Sequence, residues 1–217
     1  MTKVSEMAAQ LKPLNAAKHH NTAYQRGASL IVVMMVLTIV SLLGVAGIQI
    51  ATMSERGARN DRDQQIAWQA AEAGLLDAEF DMYGPTGTSV RRSLFQQSND
   101  ITRFIPGCGT TGNDIGLCAL VTNNVDKPAW LSVDFTDTSN SAPTTVFGTY
   151  TNRTFASGSL GVQPSKPPRY AIEPIPDPGG ENRDRGAPPK KYIYRVTSMG
   201  FGPRDDIQAV VQMIYRY

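Results

Sequence analysis

Histidine is almost absent from this sequence. The only two, His19 and His20, stand together near the N-terminus. Histidine is the commonest general base, so the rest of the chain lacks the group most often used for acid–base and nucleophilic chemistry. Cysteine is equally scarce, with Cys108 and Cys118 alone. A structural zinc site takes about four ligands, and the histidines lie far from the cysteines, which argues against zinc. No GxSxG elbow and no phosphate-binding loop occurs. Strong charge of one sign is missing too. The net charge is +2, and Arg56, Arg59 and Arg62 are offset by Glu55, Asp61 and Asp63. They read as a solvated helix surface, so a phosphate-binding face is not expected. These absences point away from an enzyme, a cofactor, a small-molecule substrate and a nucleic-acid partner. Glu72 and Glu79 stand on one helix like a paired set of carboxylates, and read as solvent or inter-subunit contacts. "DPGGENRDRG" (177–186) is acidic and glycine-bearing but fits no spaced calcium-ligand pattern. Asn152-Arg153-Thr154 matches a glycosylation acceptor, on three residues only.

Charge is also lacking from one long block, Ala28 to Ile50, "ASLIVVMMVLTIVSLLGVAGIQI". As a helix it would be on the order of 34 Å long, enough to cross a ~30 Å hydrocarbon core. A secretory signal has an apolar region of only about 7–15 residues, so cleavage after the block is not expected. Orientation stays open on charge alone. Lys12, Lys18 and Arg26 precede the block, while Arg56, Arg59 and Arg62 follow it, and the positive-inside rule is nearly balanced. Gly44, Ala46 and Gly47 are small enough to let helices approach closely.

The helical pattern runs on past the block. Ala67, Ala71, Leu75, Ala78 and Met82 form one apolar stripe, with Gln65, Gln69, Glu72 and Glu79 largely off it. Glu55 and Arg59 make a favourable i,i+4 pair, and Gly84-Pro85 is a strong stop. The spacing predicts one helix over about 28–83, apolar all round in its first half and amphipathic in its second.

Residues 85–168 are rich in Gly, Pro, Ser, Thr and Asn. "KPAWLSVDF" (127–135) could hold a short strand, since Trp130, Leu131, Val133 and Phe135 partly alternate, and "TVFGTYTNRTF" (145–155) another. "RYAIE" (169–173), "KYIYRVTSM" (191–199) and "DIQAVVQMIYRY" (206–217) read as about three antiparallel strands. In the second of these Ile193, Arg195 and Thr197 alternate with Tyr192, Tyr194 and Val196. The proline- and glycine-rich stretches between them read as loops. The expected fold is α+β, a long helix packed through its amphipathic half on a small antiparallel sheet with long loops. Cys108 and Cys118 flank turn-forming residues, and a disulfide closing that short loop is the preferred reading. Two free thiols are the alternative, and the choice depends on which side of a membrane the loop faces.

At this point the residues resemble a family. Gly27 ahead of an apolar helix, behind a basic leader, resembles the prepilin signal of type IV pilins. "QQIAWQAAEAGLLDAE" (64–79) resembles the helix segment of PilX-type minor pilins. "PRYAIEPI" (168–175) and "YRVTSMGFGPRDD" (194–206) resemble the strands near the end of that family. The resemblance implies a leader at 1–27, removed by a prepilin peptidase between Gly27 and Ala28, with methylation of the new amine on Ala28. It implies a membrane and filament-core helix at 28–50, its amphipathic continuation at 51–84, and a head at 85–217. The leader would lie on the cytoplasmic side of the inner membrane and the head in the periplasm, where the Cys108–Cys118 pair would oxidise. The implied partners are other minor pilins, the major pilin and a large tip adhesin. The implied roles are filament initiation, adhesion and twitching motility. Val32, Gly44, Ala67, Ala71, Leu75 and Ala78 are the expected packing and assembly positions. Most pilins carry Glu at the fifth mature position, which here is Val32, and a place at or near the pilus tip is the expectation drawn from that departure. A tip pseudopilin of a type II secretion system and a single-span ligand-binding membrane protein remain the alternatives. Translation could start at Met1 or at Met7.

Overall fold

The computed structural model describes residues 25–96, 101–123, 126–158, 162–177 and 192–216. Residues 1–24, and with them most of the expected leader, lie outside the described residues, as does all of the 177–186 loop except Asp177. The elements are helix α1 (Gln25–Tyr83), short helices α2 (Arg92–Gln96) and α3 (Ala129–Ser132), and strands β1 (Thr145–Val146), β2 (Arg169–Pro176), β3 (Tyr192–Phe201) and β4 (Gln208–Tyr215). The chain divides into two compact units, Met1–Ser54 and Glu55–Tyr217.

In the first unit the described chain is helix alone. Its large apolar side chains stand open, from Val33 at 50 % to Leu42 at 72 % exposed. Polar hydroxyls inside this apolar run are satisfied locally: Thr38 Oγ1 donates to the Met35 carbonyl and Ser41 Oγ to that of Leu37. Such back-bonding lets a hydroxyl sit among hydrocarbon without an unmet hydrogen bond. The helix is long and apolar enough to cross a membrane.

In the second unit α1 packs on a four-stranded antiparallel sheet of order β1-β2-β3-β4. The register sets Ile172 opposite Val196 and Val196 opposite Met213. Side chains alternate across a strand, so Tyr170 and Ile172 share the helix-facing side with Tyr194, Val196 and Gly200. Against them come Leu75, Ala78 and Met82 of α1, with Phe95, Phe104 and Leu117 closing the end of this core. Phe95 meets Tyr194 edge-on at 5.3 Å between centroids, and Phe104 stacks on Tyr194 at 5.8 Å. Ala67, Ala70 and Ala71 stand at the start of the stripe, and this lets backbone approach backbone where β3 carries Gly200.

The helix stops where the sequence says it should. Gly84 N–H donates to the Phe80 carbonyl and Pro85 follows, which cannot continue the ladder. Of two expectations for the middle of the chain, one does not hold and the other holds only in part. Residues 127–135 carry the helical turn α3 rather than a strand, because Pro128 starts a turn: the amides of Leu131 and Ser132 both donate to its carbonyl. Only Phe135 of the apparent alternation is well buried, while Leu131 is exposed. Within 145–155 just Thr145 and Val146 pair as strand. The chain then turns at Gly148, whose φ of +80° suits glycine. The full sheet therefore has four strands, the three expected near the end of the chain and the two-residue β1 inside the 145–155 stretch.

Strand β3 is buried on both sides, which blurs its alternation. The second face of the sheet is covered near β2 by a small cluster of Phe135, Ala129, Ala171 and the two cysteines. Cys108 and Cys118 are joined in a disulfide. Its loop is stitched to the sheet by Cys118 N–H to Ile172 O and Ile172 N–H to Gly116 O. In the chain-entropy account a loop of this length contributes roughly 3 kcal/mol. The paired change Cys108→Ser and Cys118→Ser is expected to lower stability by about 2–3 kcal/mol. Urea unfolding of the full chain in detergent, with and without reductant, checks this: reductant should shift the parent and leave the double variant unmoved.

Candidate functional site

Among the described residues no group of three or more His, Cys, Asp or Glu could hold a metal ion. What the helix carries instead is two flanks with different jobs. One is buried and polar, and it ties α1 to the loops of the head.

On that flank Asp77 and Asp81 stand one turn apart, both fully buried. Asp81 accepts from Arg91 Nε at 2.7 Å, Ser89 Oγ at 2.6 Å and Tyr170 Oη at 3.0 Å. Arg91 is also fully buried. Its Nη1 donates to the carbonyls of Ile115 (2.7 Å) and Asn113 (3.3 Å), and its Nη2 to Thr145 Oγ1 (3.3 Å). Its guanidinium lies 3.8 Å from the Tyr150 ring centroid, and Tyr150 Oη donates to Gly112 O. Burial is the largest single influence and works to lower the Arg91 pKa, but the charge and hydrogen bond of Asp81 together with Tyr170 and Tyr150 outweigh it, and the net direction is upward. Burial pushes the Tyr170 hydroxyl well above its usual range, with the Asp81 charge adding to it. Asp77 accepts from Gly148 N–H at 2.7 Å and Thr151 Oγ1 at 2.5 Å, and faces Arg153 at 3.6 Å. Burial still lifts its carboxyl above the ordinary value. The arrangement is a clamp: one helix flank holds the disulfide loop, the turn after β1 and strand β2 through charge-assisted hydrogen bonds.

Sequence reading missed Asp77, Asp81 and Arg91. The available signal was the i,i+4 spacing of two acids directly beside Ala78 and Met82 of the apolar stripe.

The other flank and the outer side of α1 are open. Trp68 and Leu76 are each 51 % exposed and Phe80 39 %. Trp68 Nε1 donates to Glu72 Oε1 at 2.7 Å, so Glu72 is engaged with an indole rather than paired with Glu79. The Arg153 guanidinium covers Phe80 at 4.6 Å.

The expected assembly positions fall into two sets. Ala67, Ala71, Leu75 and Ala78 are buried inside the head against the sheet. Val32, 58 % exposed, and Gly44, with nothing within 4 Å of its added Cβ, belong to the open apolar helix. Gly27 and Ala28 lie in the first turns of α1.

Two family models match. The one for the PilX N-terminal region covers residues 26–76, and the one for the type IV pilus assembly protein PilX C-terminal region covers 107–217, more than half of the chain. No curated protein and no solved structure matches it.

Proposed function

The chain belongs to the PilX family of type IV pilus assembly proteins, and from that premise we propose that this minor pilin acts at filament initiation, at or near the pilus tip. Its leader is cut between Gly27 and Ala28 by the prepilin peptidase, and the amine left on Ala28 is methylated. The helix from Ala28 to Ile50 first anchors the subunit in the inner membrane, with the head on the periplasmic side. It then packs against the helices of other minor pilins and of the major pilin, where Gly44 leaves room for close approach. The head meets neighbouring minor pilins and a large tip adhesin, and by supporting pilus assembly the protein serves adhesion and twitching motility.

The observation that carries the tip assignment is Val32. A charged amine packed among apolar helices costs several kcal/mol unless a carboxylate meets it. Pilins of the shaft supply that carboxylate from the fifth mature position. Here the position is Val32, and no acid occurs anywhere from Ala28 to Ile50. A subunit without this group stacks poorly beneath another amine, and a subunit at the tip has none ahead of it.

The test is the mass of the N-terminal peptide from membranes and from sheared surface filaments. A chain starting at methylated Ala28, found in the sheared fraction with immunogold at filament ends, is the expected result. An intact leader under normal expression would sink the pilin processing, and dense labelling along whole fibres would sink the tip assignment.

A further inference from the structure

Strand β4 ends the sheet, and among the described residues no strand pairs with it on the side away from β3. An edge of this kind leaves unpaired N–H and C=O groups, which proteins usually blunt with charge, proline or a bulge. Here none of these devices appears. The eight residues "QAVVQMIY" include no charged residue and no proline, and their pairing with β3 runs without a break from Gln208 to Tyr215. Val210, Met213 and Ile214 are 49 %, 47 % and 56 % exposed, so apolar surface is open on both faces of the strand.

The helix contributes the second half of this feature. Gln64 Nε2 donates to Gln208 O, and Tyr215 Oη donates to Leu75 O, which fixes the side of α1 that lies against β4. At about 100° per residue, Trp68, Glu72 and Glu79 fall within roughly 40° of one another, just beyond that contact line. Burial and then the charge of Glu79 push the Tyr215 hydroxyl up to about 12, which places this carboxylate beside the strand. No Lys or Arg occurs from residue 64 to residue 83. The flank beside the free edge is therefore aromatic and acidic.

We propose that the free edge of β4, flanked by Trp68, Glu72 and Glu79, takes an extended segment of another pilus subunit as an added strand, with basic residues alternating with apolar ones. The hydrogen-bonding edge demands a strand, since a helix has no backbone groups to spare. An added strand would lie about 4.8 Å from β4. Its residues on the helix side would face Glu72 and Glu79, hence the basic character. Its residues on the opposite side would pair across from Val210 and Ile214, hence the apolar alternation. A second copy of β4 is a poor guest, since it brings no cation and would set two acidic flanks into one junction.

The inference rests on the assembly reading, and the experiment separates the two. A benzophenone amino acid is placed at position 210 of the full-length chain in piliated cells, and the adduct formed on irradiation is mapped by mass spectrometry. The expected adduct lies in one segment of another subunit, with Lys or Arg at alternate positions. The double change Glu72→Lys and Glu79→Lys should cut its yield by at least about fivefold, while urea unfolding of that variant stays like the parent's. An adduct on a second copy's β4, on a helical or acidic segment, or on lipid would overturn the proposal. So would the lack of any adduct while the protein is present in sheared filaments. Absence from sheared filaments would overturn the assembly reading and the docking edge with it.

Discussion

Replacing Asp81 by alanine is expected to cost the head about 3–5 kcal/mol, the range seen when one partner of a buried ion pair is removed. Asp81 and Arg91 are both fully buried and make a salt bridge. Without the carboxylate, Arg91 remains charged, because its pKa is too high for it to shed the proton. Its guanidinium would still reach the carbonyls of Ile115 and Asn113, but those are dipoles and do not cancel a charge. Ser89 Oγ and Tyr170 Oη would lose their acceptor as well. Arg91→Met should cost a similar amount for a different reason. It leaves Asp81 charged with two hydroxyl donors and strips the Ile115 carbonyl of its partner. The double variant should cost well under the sum, since the largest part of each single loss is the stranded partner. Urea titration of the four full-length proteins in detergent measures this, followed through tryptophan fluorescence. Additive losses would show that the two residues act separately and that the clamp is not a unit.

The clamp is also where the sequence was hardest to read. The stripe of Ala67, Ala71, Leu75, Ala78 and Met82 was legible because a helix repeats every 3.6 residues and its partner surface is continuous. The terminal strands were legible because β-branched and aromatic residues cluster there between turn formers. The Gly84-Pro85 stop follows from local chain stereochemistry alone. Arg91 offered no such pattern. Its partners sit at Asp81, Asn113, Ile115 and Thr145, and no periodicity connects positions so far apart in the chain. The 127–135 segment misled for a related reason. Partial alternation over a few residues favours a strand, but Pro128 presets the turn that opens α3, and packing of Phe135 against Ala171 then decides its burial. The disulfide was legible as a pairing, whereas its attachment to β2 depends on backbone contacts that no side-chain pattern announces. Of the surfaces proposed for assembly, the sequence could locate the apolar helix but not the free edge of β4. An edge strand is defined by what does not pair with it.

Gly200→Ala should be nearly as damaging as the loss of Asp81, though it adds only one methyl group. A Cβ built on Gly200 would stand 2.2 Å from Ala67 O and 2.2 Å from Ala71 N, with Ala70 C at 2.8 Å. All three are helix backbone atoms, so no side-chain rotation relieves the clash. The helix must move off the sheet, and Tyr170, Ile172 and Val196 lose part of the contact that Leu75 and Ala78 provide. Overpacking of this sort costs about 3 kcal/mol or more when the obstacle is rigid. Gly74→Ala gives the contrast. It lies on the same interface, and its Cβ would stand 2.2 Å from Ser198 Oγ. That atom is the end of a side chain and makes no hydrogen bond in its buried place, so it can rotate away. Alanine also gains about 1 kcal/mol over glycine within a helix. The expected result is a near-neutral Gly74→Ala beside a strongly destabilised Gly200→Ala, read from urea midpoints at equal slope. If the two behaved alike, rigid backbone contact would not be what sets the distance between α1 and β3. If they differ as expected, Gly200 and the alanines opposite it fix how the head grips its helix. Gly200→Ala should then also lower the amount of subunit recovered in sheared filaments, because a head that opens from α1 exposes the interface that the stripe of alanines normally closes.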